Sequence, residues 1–365
     1  MSKPRVLVLF DTDNDPPANQ DYSRHLSSGV DEVEFEVART LLDRGYDVRL
    51  LGFRHDLDQL LDGVRAAPVD VVFNLTERFK DLSALDYTVA GLLEMIGVPY
   101  TGAGPTGLIL ARHKALTKMV LNHHDVRTPR FIEIDHGSPC RRPSDLRFPL
   151  IVKPVDEDAS VGIARASVVR DDQALSERVS FIHERFKTAA IVEEFIAGRE
   201  IYVGVVGNEE PKAMPPIEMV FEPAVPDERR IATFKVKWSH KHREKMGVQN
   251  RIATDLPPDV RAKLDAVAIA SYKAASLRDY GRVDVRLAHD HEIYVVEANP
   301  NPYLSDGEDM AWAAEEGGYP YPELLESIIE WAMKRGTKKG GNDKGDKAVS
   351  GTASNQGSGP NKTRG

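Results

Sequence analysis

Over roughly the first hundred positions, short apolar runs alternate with amphipathic stretches. Arg5–Phe10, Asp47–Gly52 and Val69–Asn74 are near-continuous apolar runs, the pattern of strands covered on both faces. Asp31–Arg44, Asp56–Ala66 and Ala84–Ile96 instead repeat their apolar residues at helical spacing. Gly45 follows the first of these helices as its C-terminal cap. This βαβαβ rhythm predicts a parallel sheet with right-handed crossovers. Ligands bind such sheets beyond the C-terminal ends of the strands, here at Asp11-Thr12-Asp13 and Asn74-Leu75-Thr76-Glu77.

A second pattern begins near Asp125. Phe148–Pro154 reads as a strand stopped by proline, the loop Asp156–Gly162 follows, and Ile163–Ala166 returns as a strand. A helix over Asp171–Phe186 and a strand over Ala190–Glu194 come next. The remainder carries antiparallel signals and closes with a helix at Pro322–Lys334. No internal repeat is visible. Four segments are expected: an α/β domain over 1–124, two α+β pieces over 125–204 and 205–335, and a tail over 336–365. The tail is rich in Gly, Lys, Asn, Ser and Thr and lacks the apolar residues a core needs, so it is expected to be disordered.

Composition narrows the function. Apolar residues make up 41% of the chain, enough for a sizeable core, and the formal net charge is -9. No basic stripe runs along the expected folded part, which argues against nucleic acid as the partner. Cys140 is the only cysteine, so neither a disulfide framework nor a cysteine metal cluster is expected. Arg5–Phe10 reads as a buried strand and not as a signal peptide, and no apolar run reaches the ~18–20 residues of a membrane span. These features describe a soluble, cytoplasmic protein without a membrane partner.

Gly102-Ala103-Gly104-Pro105-Thr106-Gly107 spells the dinucleotide fingerprint G-x-G-x-x-G. It follows the short run Val98–Tyr100 at the end of the first domain, not the first strand, and Pro105 lies inside it. A tight turn is the expected reading, and a phosphate contact the alternative.

Gly281–Pro302 reads as a β-hairpin around His289-Asp290-His291. Val283, Val285 and Leu287 share one face of its first strand, and Arg282, Asp284 and Arg286 the other. In the second strand Ile293, Val295, Glu297 and Asn299 are expected to share a face. With Asp290 and His291 as the turn, Asp284 faces Glu297 and Arg282 faces Asn299. Opposed residues stand about 4.5–5.5 Å apart, where two carboxylates repel unless a cation lies between them. Hard oxygen ligands suit Mg²⁺, which bridges protein to phosphate, and a neighbouring Arg282 can stabilise developing negative charge. The alternative is a solvated face of alternating charges.

Lys153 ends an apolar strand, Lys114 shares a helical stretch with Lys118, and Lys237 lies in Phe234–Trp238. The loop Asp158-Ala159-Ser160-Val161-Gly162 after Lys153 offers backbone N–H groups to phosphate. Ile191–Glu200 runs from an apolar strand into a Glu-Glu-Phe-Ile edge. Phe195 and Ile196 there can pack on a purine, and Glu200 is spaced to accept from a ribose hydroxyl.

Taken in chain order, these segments resemble the ATP-grasp superfamily and, within it, the D-alanine–D-alanine ligase-like branch. Leu93–Gly102 is similar to the segment that closes the family's N-terminal domain. Lys114, Val152-Lys153-Pro154, Ser160-Val161-Gly162, Glu193–Ile196 with Glu200, Gly281–Asp284 and Glu297-Ala298-Asn299 follow in family order. The resemblance covers roughly residues 4–332. It implies an α/β domain of the pre-ATP-grasp type followed by an ATP-grasp fold of two α+β subdomains. It also implies transfer of the γ-phosphate of ATP to a carboxylate, then attack by an amine on the acyl phosphate. By position, Lys114 and Lys153 would hold phosphates, and Glu193, Phe195, Ile196 and Glu200 the nucleoside. Ser160 and Lys237 would sit at the reacting phosphate, Lys237 on a mobile covering loop. Asp284, Glu297 and Asn299 would hold two Mg²⁺ or Mn²⁺ ions, and Arg282 would stabilise the tetrahedral intermediate. Amino acid or peptide substrates and a homodimer are further implications.

The resemblance weakens on the substrate side. The family's Gly-rich N-terminal motif with its glutamate is replaced by Asp11-Thr12-Asp13-Asn14-Asp15-Pro16-Pro17. Its His-Gly loop is replaced by Asn74–Phe79, and its Ser-Pro-Gly turn by Pro300-Asn301-Pro302-Tyr303. An ATP-dependent carboxylate–amine ligase is therefore expected, with D-alanine one substrate among several. A catalytically silent ATP-binding regulator and a dinucleotide-dependent oxidoreductase are the competing expectations.

Overall fold

The computed structural model describes residues 3–341 apart from 18, 19, 28–31, 158, 159, 223, 228 and 229. Its strands are β1 (Arg5–Asp11), β2 (Asp47–Phe53), β3 (Val71–Asn74), β4 (Phe131–Ile134), β5 (Leu150–Pro154), β6 (Val168–Val169) and β7 (Ala190–Glu194). They continue with β8 (Arg199–Val206), β9 (Lys212–Ala213), β10 (Ile217–Val220), β11 (Gln249–Ile252), β12 (Tyr280–Leu287) and β13 (Ile293–Pro300). The first three form a parallel sheet in the order β2-β1-β3, as the βαβαβ pattern predicts. A four-stranded sheet, β4-β7-β5-β6, and a six-stranded sheet, β11-β10-β8-β12-β13 with β9 on β8, are antiparallel.

Burial explains why the periodic segments became these elements. The helix Val33–Asp43 buries Phe35, Val37, Ala38 and Leu41 against one face of the parallel sheet. Each large apolar side chain so covered contributes about 1.5–3 kcal/mol. Leu7, Leu9 and Val72 on the opposite face pack with Leu60, Val64, Val89 and Leu93 from the helices Leu57–Arg65 and Asp86–Ile96. Asp56 starts the former by accepting from the amides of Asp58 and Gln59. The last helix, Tyr321–Gly341, buries Leu324, Leu325, Ile328 and Ile329 in the same core as Val6, Val8 and Met219. It thereby joins the parallel sheet to the six-stranded one.

Several boundaries differ from expectation. β8 pairs wholly within the six-stranded sheet, so the division expected between 204 and 205 moves to the Phe195–Gly198 link. A 3₁₀ turn at Arg165–Ser167 replaces the strand expected over Ile163–Ala166, and the return strand is β6. The last helix runs past Gly336 to Gly341, into the expected tail, whose remainder lies outside the described residues. Among the described residues no helix is long and apolar enough to cross a membrane.

Candidate active site

β12 and β13 pair Asp284 with Glu297 and Arg282 with Asn299. Two departures cancel to give this register. The turn is longer than the two residues expected: Ala288 N–H donates to Glu292 O at 2.9 Å, and His291 takes a φ of 64°. The ladder then slips once, because Val285 pairs with Val295 while Asp284 pairs with Glu297, leaving Val296 as a β-bulge. The bulge overturns the expectation that Ile293, Val295, Glu297 and Asn299 share a face. Ile293, Val295 and Ala298 enter the apolar core with Val283, Val285 and Leu287, while Val296 and Glu297 line a cleft with Asp284.

That cleft lies between the four-stranded and six-stranded sheets. Its wall contains Lys114, Lys153, Ser160, Glu193, Phe195, Ile196, Glu200, Lys237, Asp284 and Glu297, residues the sequence scatters over 184 positions from Lys114 to Glu297, counting both ends. Arg282 and Asn299 are not part of this wall and lie further along the same hairpin. Asp158 and Ala159 of the expected phosphate loop lie outside the described residues. Lys237 sits on a short helix, Phe234–Trp238, and not on a loop. Thr233 caps this helix, and Phe234 N–H donates to Ile163 O at 3.3 Å, joining it to the loop after β5.

The cleft is dense in buried charge. Lys153 Nζ donates to Glu193 Oε2 at 2.9 Å, and Lys118 Nζ lies 3.5 Å from Glu193 Oε1, too far for a good hydrogen bond. Glu193 is 1% exposed, and its carboxylate is paired with these lysines where it lines the cleft. Burial opposes its ionisation, but Lys118, Lys153 and Lys114 together hold its carboxyl below the ordinary range. Lys114 Nζ lies 3.7 Å from Glu297 Oε1. Burial likewise opposes ionisation of Glu297, yet Lys114, Lys237, Lys153 and Arg282 hold it low. Asp284 is raised by burial, although Arg282 grips it bidentately through Nε at 2.7 Å and Nη2 at 3.0 Å. The Arg282 guanidinium also stacks 4.9 Å from the centre of the Tyr202 ring.

At the other end, Tyr202 OH and Arg286 Nη1 each donate to the Glu200 carboxylate at 3.0 Å. The motifs did not single out Arg286. Its Nε donates to Ile196 O at 3.0 Å, Nη2 to Gly198 O at 3.0 Å and Nη1 to Arg230 O at 2.9 Å. Gly198 lets the link approach this closely: with φ at +136°, an added Cβ would stand 2.1 Å from Leu287 O. Pro129, Ile163, Ile231 and Val296 also went unnoticed, since apolar residues carry no chemical signature. Arg286 and Lys118 did carry one, as charges on the inward faces of a strand and a helix.

The glycine-rich turn is structural. Gly102 N–H donates to Asp279 Oδ2 at 2.8 Å, Ala103 N–H to Asn301 Oδ1 at 2.7 Å, and Arg278 Nε to Gly102 O at 2.9 Å. An added Cβ at Gly104 would meet the Arg278 guanidinium at 2.8 Å. These residues dock the parallel-sheet domain onto the six-stranded sheet and leave no dinucleotide cradle. The substituted loops are occupied similarly. Asp11 accepts from Glu77 N–H at 2.7 Å and Arg78 Nε at 2.6 Å, and Asn74 Oδ1 accepts from Thr76 Oγ1 at 2.8 Å.

The donor set suits a hard divalent cation. Asp284, buried, and Glu297, partly buried, oppose each other across the hairpin, and Asn299 opposite Arg282 offers a neutral amide oxygen. No three His, Cys, Asp or Glu side chains converge among the described residues, so the remaining ligands would come from phosphate oxygens.

A two-part sheet clamp around a lysine-rich cleft with paired carboxylates defines an ATP-grasp enzyme. The D-ala D-ala ligase C-terminus family model matches residues 120–330. The chain is 29% identical over 304 residues to the D-alanine–D-alanine ligase of Desulforudis audaxviator, covering 82% of this chain and 92% of the relative. It is 32% identical over 299 residues to the Bordetella petrii enzyme of that name, covering 81% and 85%. An uncharacterized protein of Sinorhizobium fredii is 33% identical over 265 residues, covering 73% and 75%. The crystal structure of Bacillus anthracis D-alanine–D-alanine ligase complexed with ATP superposes with a TM-score of 0.68 at 22% identity, covering 92% of this chain and 99% of that one. The chain belongs to the D-alanine–D-alanine ligase family. It is an ATP-dependent ligase that forms a C–N bond, which excludes the regulator and the oxidoreductase.

Proposed function

We propose that this ligase joins the carboxylate of an amino acid or short peptide to an amine through an acyl phosphate, with ATP in the cleft between the two antiparallel sheets. The observation that carries this reading is the convergence of Lys114, Lys153 and Lys237 with Asp284 and Glu297 on one cleft wall. Phe195 and Ile196 pack on the purine, and Glu200, held by Tyr202 and Arg286, accepts from the ribose. The three lysines and the Ser160 loop hold the phosphates. Asp284, Glu297 and Asn299 would hold Mg²⁺, which would supply charge neutralisation to the phosphate oxygens. A substrate carboxylate oxygen bonds to that phosphorus as ADP leaves. The amine then attacks the acyl carbon and loses a proton, and phosphate departs. Arg282, adjacent to Asp284, stabilises the oxyanion of the tetrahedral intermediate, a contribution typically worth ~10²–10³ in rate. The helix Phe234–Trp238 screens the acyl phosphate from water.

D-Alanine is the first substrate to test, because relatives carry that name. The loops at Asp11–Pro17, Asn74–Phe79 and Pro300–Tyr303 favour a different side chain at one position or both. Phosphate release is measured with Mg-ATP and pools of D- and L-amino acids and dipeptides. Stimulation by at least one pool is expected, and ATP binding without stimulation by any pool would sink the reading. The homodimer is checked by light scattering of the same preparation.

A further inference from the structure

The bulge at Val296 decides where Glu297 points. Side chains on a regular strand alternate between faces. Ile293 and Val295 are 3% and 0% exposed within the apolar layer beneath the helix Pro258–Ala274. Continued alternation would drive Glu297 and Asn299 into that layer. The extra residue reverses the alternation, so Ala298 enters the core and Glu297 joins Asp284 at the cleft. A bulge also leaves a local gap in the ladder that a partner from elsewhere must fill.

Lys118 fills it. Its Nζ donates to Val296 O at 2.7 Å from a side chain that is 0% exposed. Its helix, Lys114–His123, lies across β13 and begins with the lysine that faces Glu297. Just beyond the helix, Arg127 O accepts from Val295 N–H at 2.9 Å. One segment therefore grips β13 at two successive residues, Val295 and the bulged Val296. Burying an ammonium is costly unless it is well partnered. Glu193 alone does not explain this lysine, because it already has Lys153 at 2.9 Å and lies 3.5 Å from Lys118.

We propose that Lys118 is a positioning residue for the metal-binding group. By holding the carbonyl of bulged Val296, it keeps Glu297 and Asn299 on the face of Asp284. This role rests on the proposed assignment of those three residues as metal ligands. Lys118→Met removes the hydrogen bond while keeping an unbranched chain. Lys118→Gln keeps a donor for Val296 O without the charge.

The test is a Mn²⁺ titration followed by electron paramagnetic resonance with saturating ATP, alongside binding of a fluorescent ATP analogue in EDTA. The methionine variant is expected to bind Mn²⁺ roughly 10–100-fold more weakly, the usual loss when a group orienting a ligand is removed. Its metal-free nucleotide affinity should be unchanged, and the glutamine variant should recover much of the Mn²⁺ affinity. Wild-type Mn²⁺ affinity in the methionine variant overturns the proposal. So does a loss confined to metal-free nucleotide, which would show that Lys118 acts through Glu193 and Lys153. If the methionine variant does not fold, Lys118→Ala, which also lacks a donor for Val296 O, carries the same two readouts and the same expected loss. Absence of Mn²⁺ binding by the wild-type protein with ATP would instead overturn the ligand assignment, and this role with it.

Discussion

Arg286 donates through Nη1 to Glu200 at 3.0 Å, while its other nitrogens hold the carbonyls of Ile196 and Gly198. One side chain thus fixes both the proposed ribose acceptor and the link proposed to pack on the purine. Arg286→Met is expected to raise the KM for ATP about tenfold or more, the scale of losing hydrogen bonds to a charged group. The KM for the amino substrates should not move, and Arg286→Lys should fall between. Steady-state kinetics with each substrate varied in turn decides this; an unaltered KM for ATP removes Arg286 from the nucleotide site.

Glu297→Gln keeps the side chain's shape but removes a partly buried charge opposite Asp284. Phosphate release is expected to drop by at least about 10²-fold, as when one electrostatic stabiliser is lost. Circular dichroism and Tm should stay near those of the wild type. Turnover at the wild-type rate would take Glu297 out of the reaction.

Glu193 is the buried counter-charge of Lys153 and Lys118. Glu193→Gln leaves those ammonium groups uncompensated, a change that typically costs about 3–5 kcal/mol. Urea denaturation at neutral pH measures the difference. A loss below about 1 kcal/mol, the level of an exposed ion pair, would show that the network is solvated.

Glu34 on the helix Val33–Asp43 is pushed up to about 7 by burial first, then by Glu32 and Asp11, and it lies close enough to Tyr22 and Tyr303 to raise both phenols. The folded protein therefore binds a proton here that the unfolded chain has released. The stability cost grows as pH rises from about 4.5 to about 7 and is fully present above that. Glu34→Gln should raise stability at pH 8 by about 1–2 kcal/mol, allowing for solvent screening, and change little at pH 4.5. Thermal melts across that range test the sign, and a benefit largest at low pH contradicts it.

Gly107 abuts the backbone of the six-stranded domain: an added Cβ would lie 2.7 Å from Ser276 O. Gly107→Ala is expected to lower stability by about 1–3 kcal/mol through overpacking. NAD(H) and NADP(H) should bind neither protein in a fluorescence titration, and dinucleotide binding lost in the variant would restore the cofactor reading.

The sequence by itself determined the elements and the chemical inventory. Apolar patterning located β1, β2, β7 and the helix Asp172–Phe186, because continuous runs mark strands covered on both faces and helical spacing marks a helix with one buried face, and both patterns are local. The motifs named nearly the whole polar wall of the cleft, because lysines, carboxylates and glycines at fixed spacing carry their chemistry with them. Placement was decided by the tertiary structure. Glu193 reads as part of a strand edge, and only the fold brings Lys118 and Lys153 from other segments to its carboxylate at the cleft wall. Gly102–Gly107 reads as a tight turn, with a phosphate contact as the alternative, and what occupies its amides, Asp279 and Asn301, comes from more than 170 positions away. Glu297 reads as continuing the apolar face of β13, and a single bulged residue reverses it. A bulge has no fixed local signature: its energy is settled by the partner strand and by the lysine that takes the freed carbonyl.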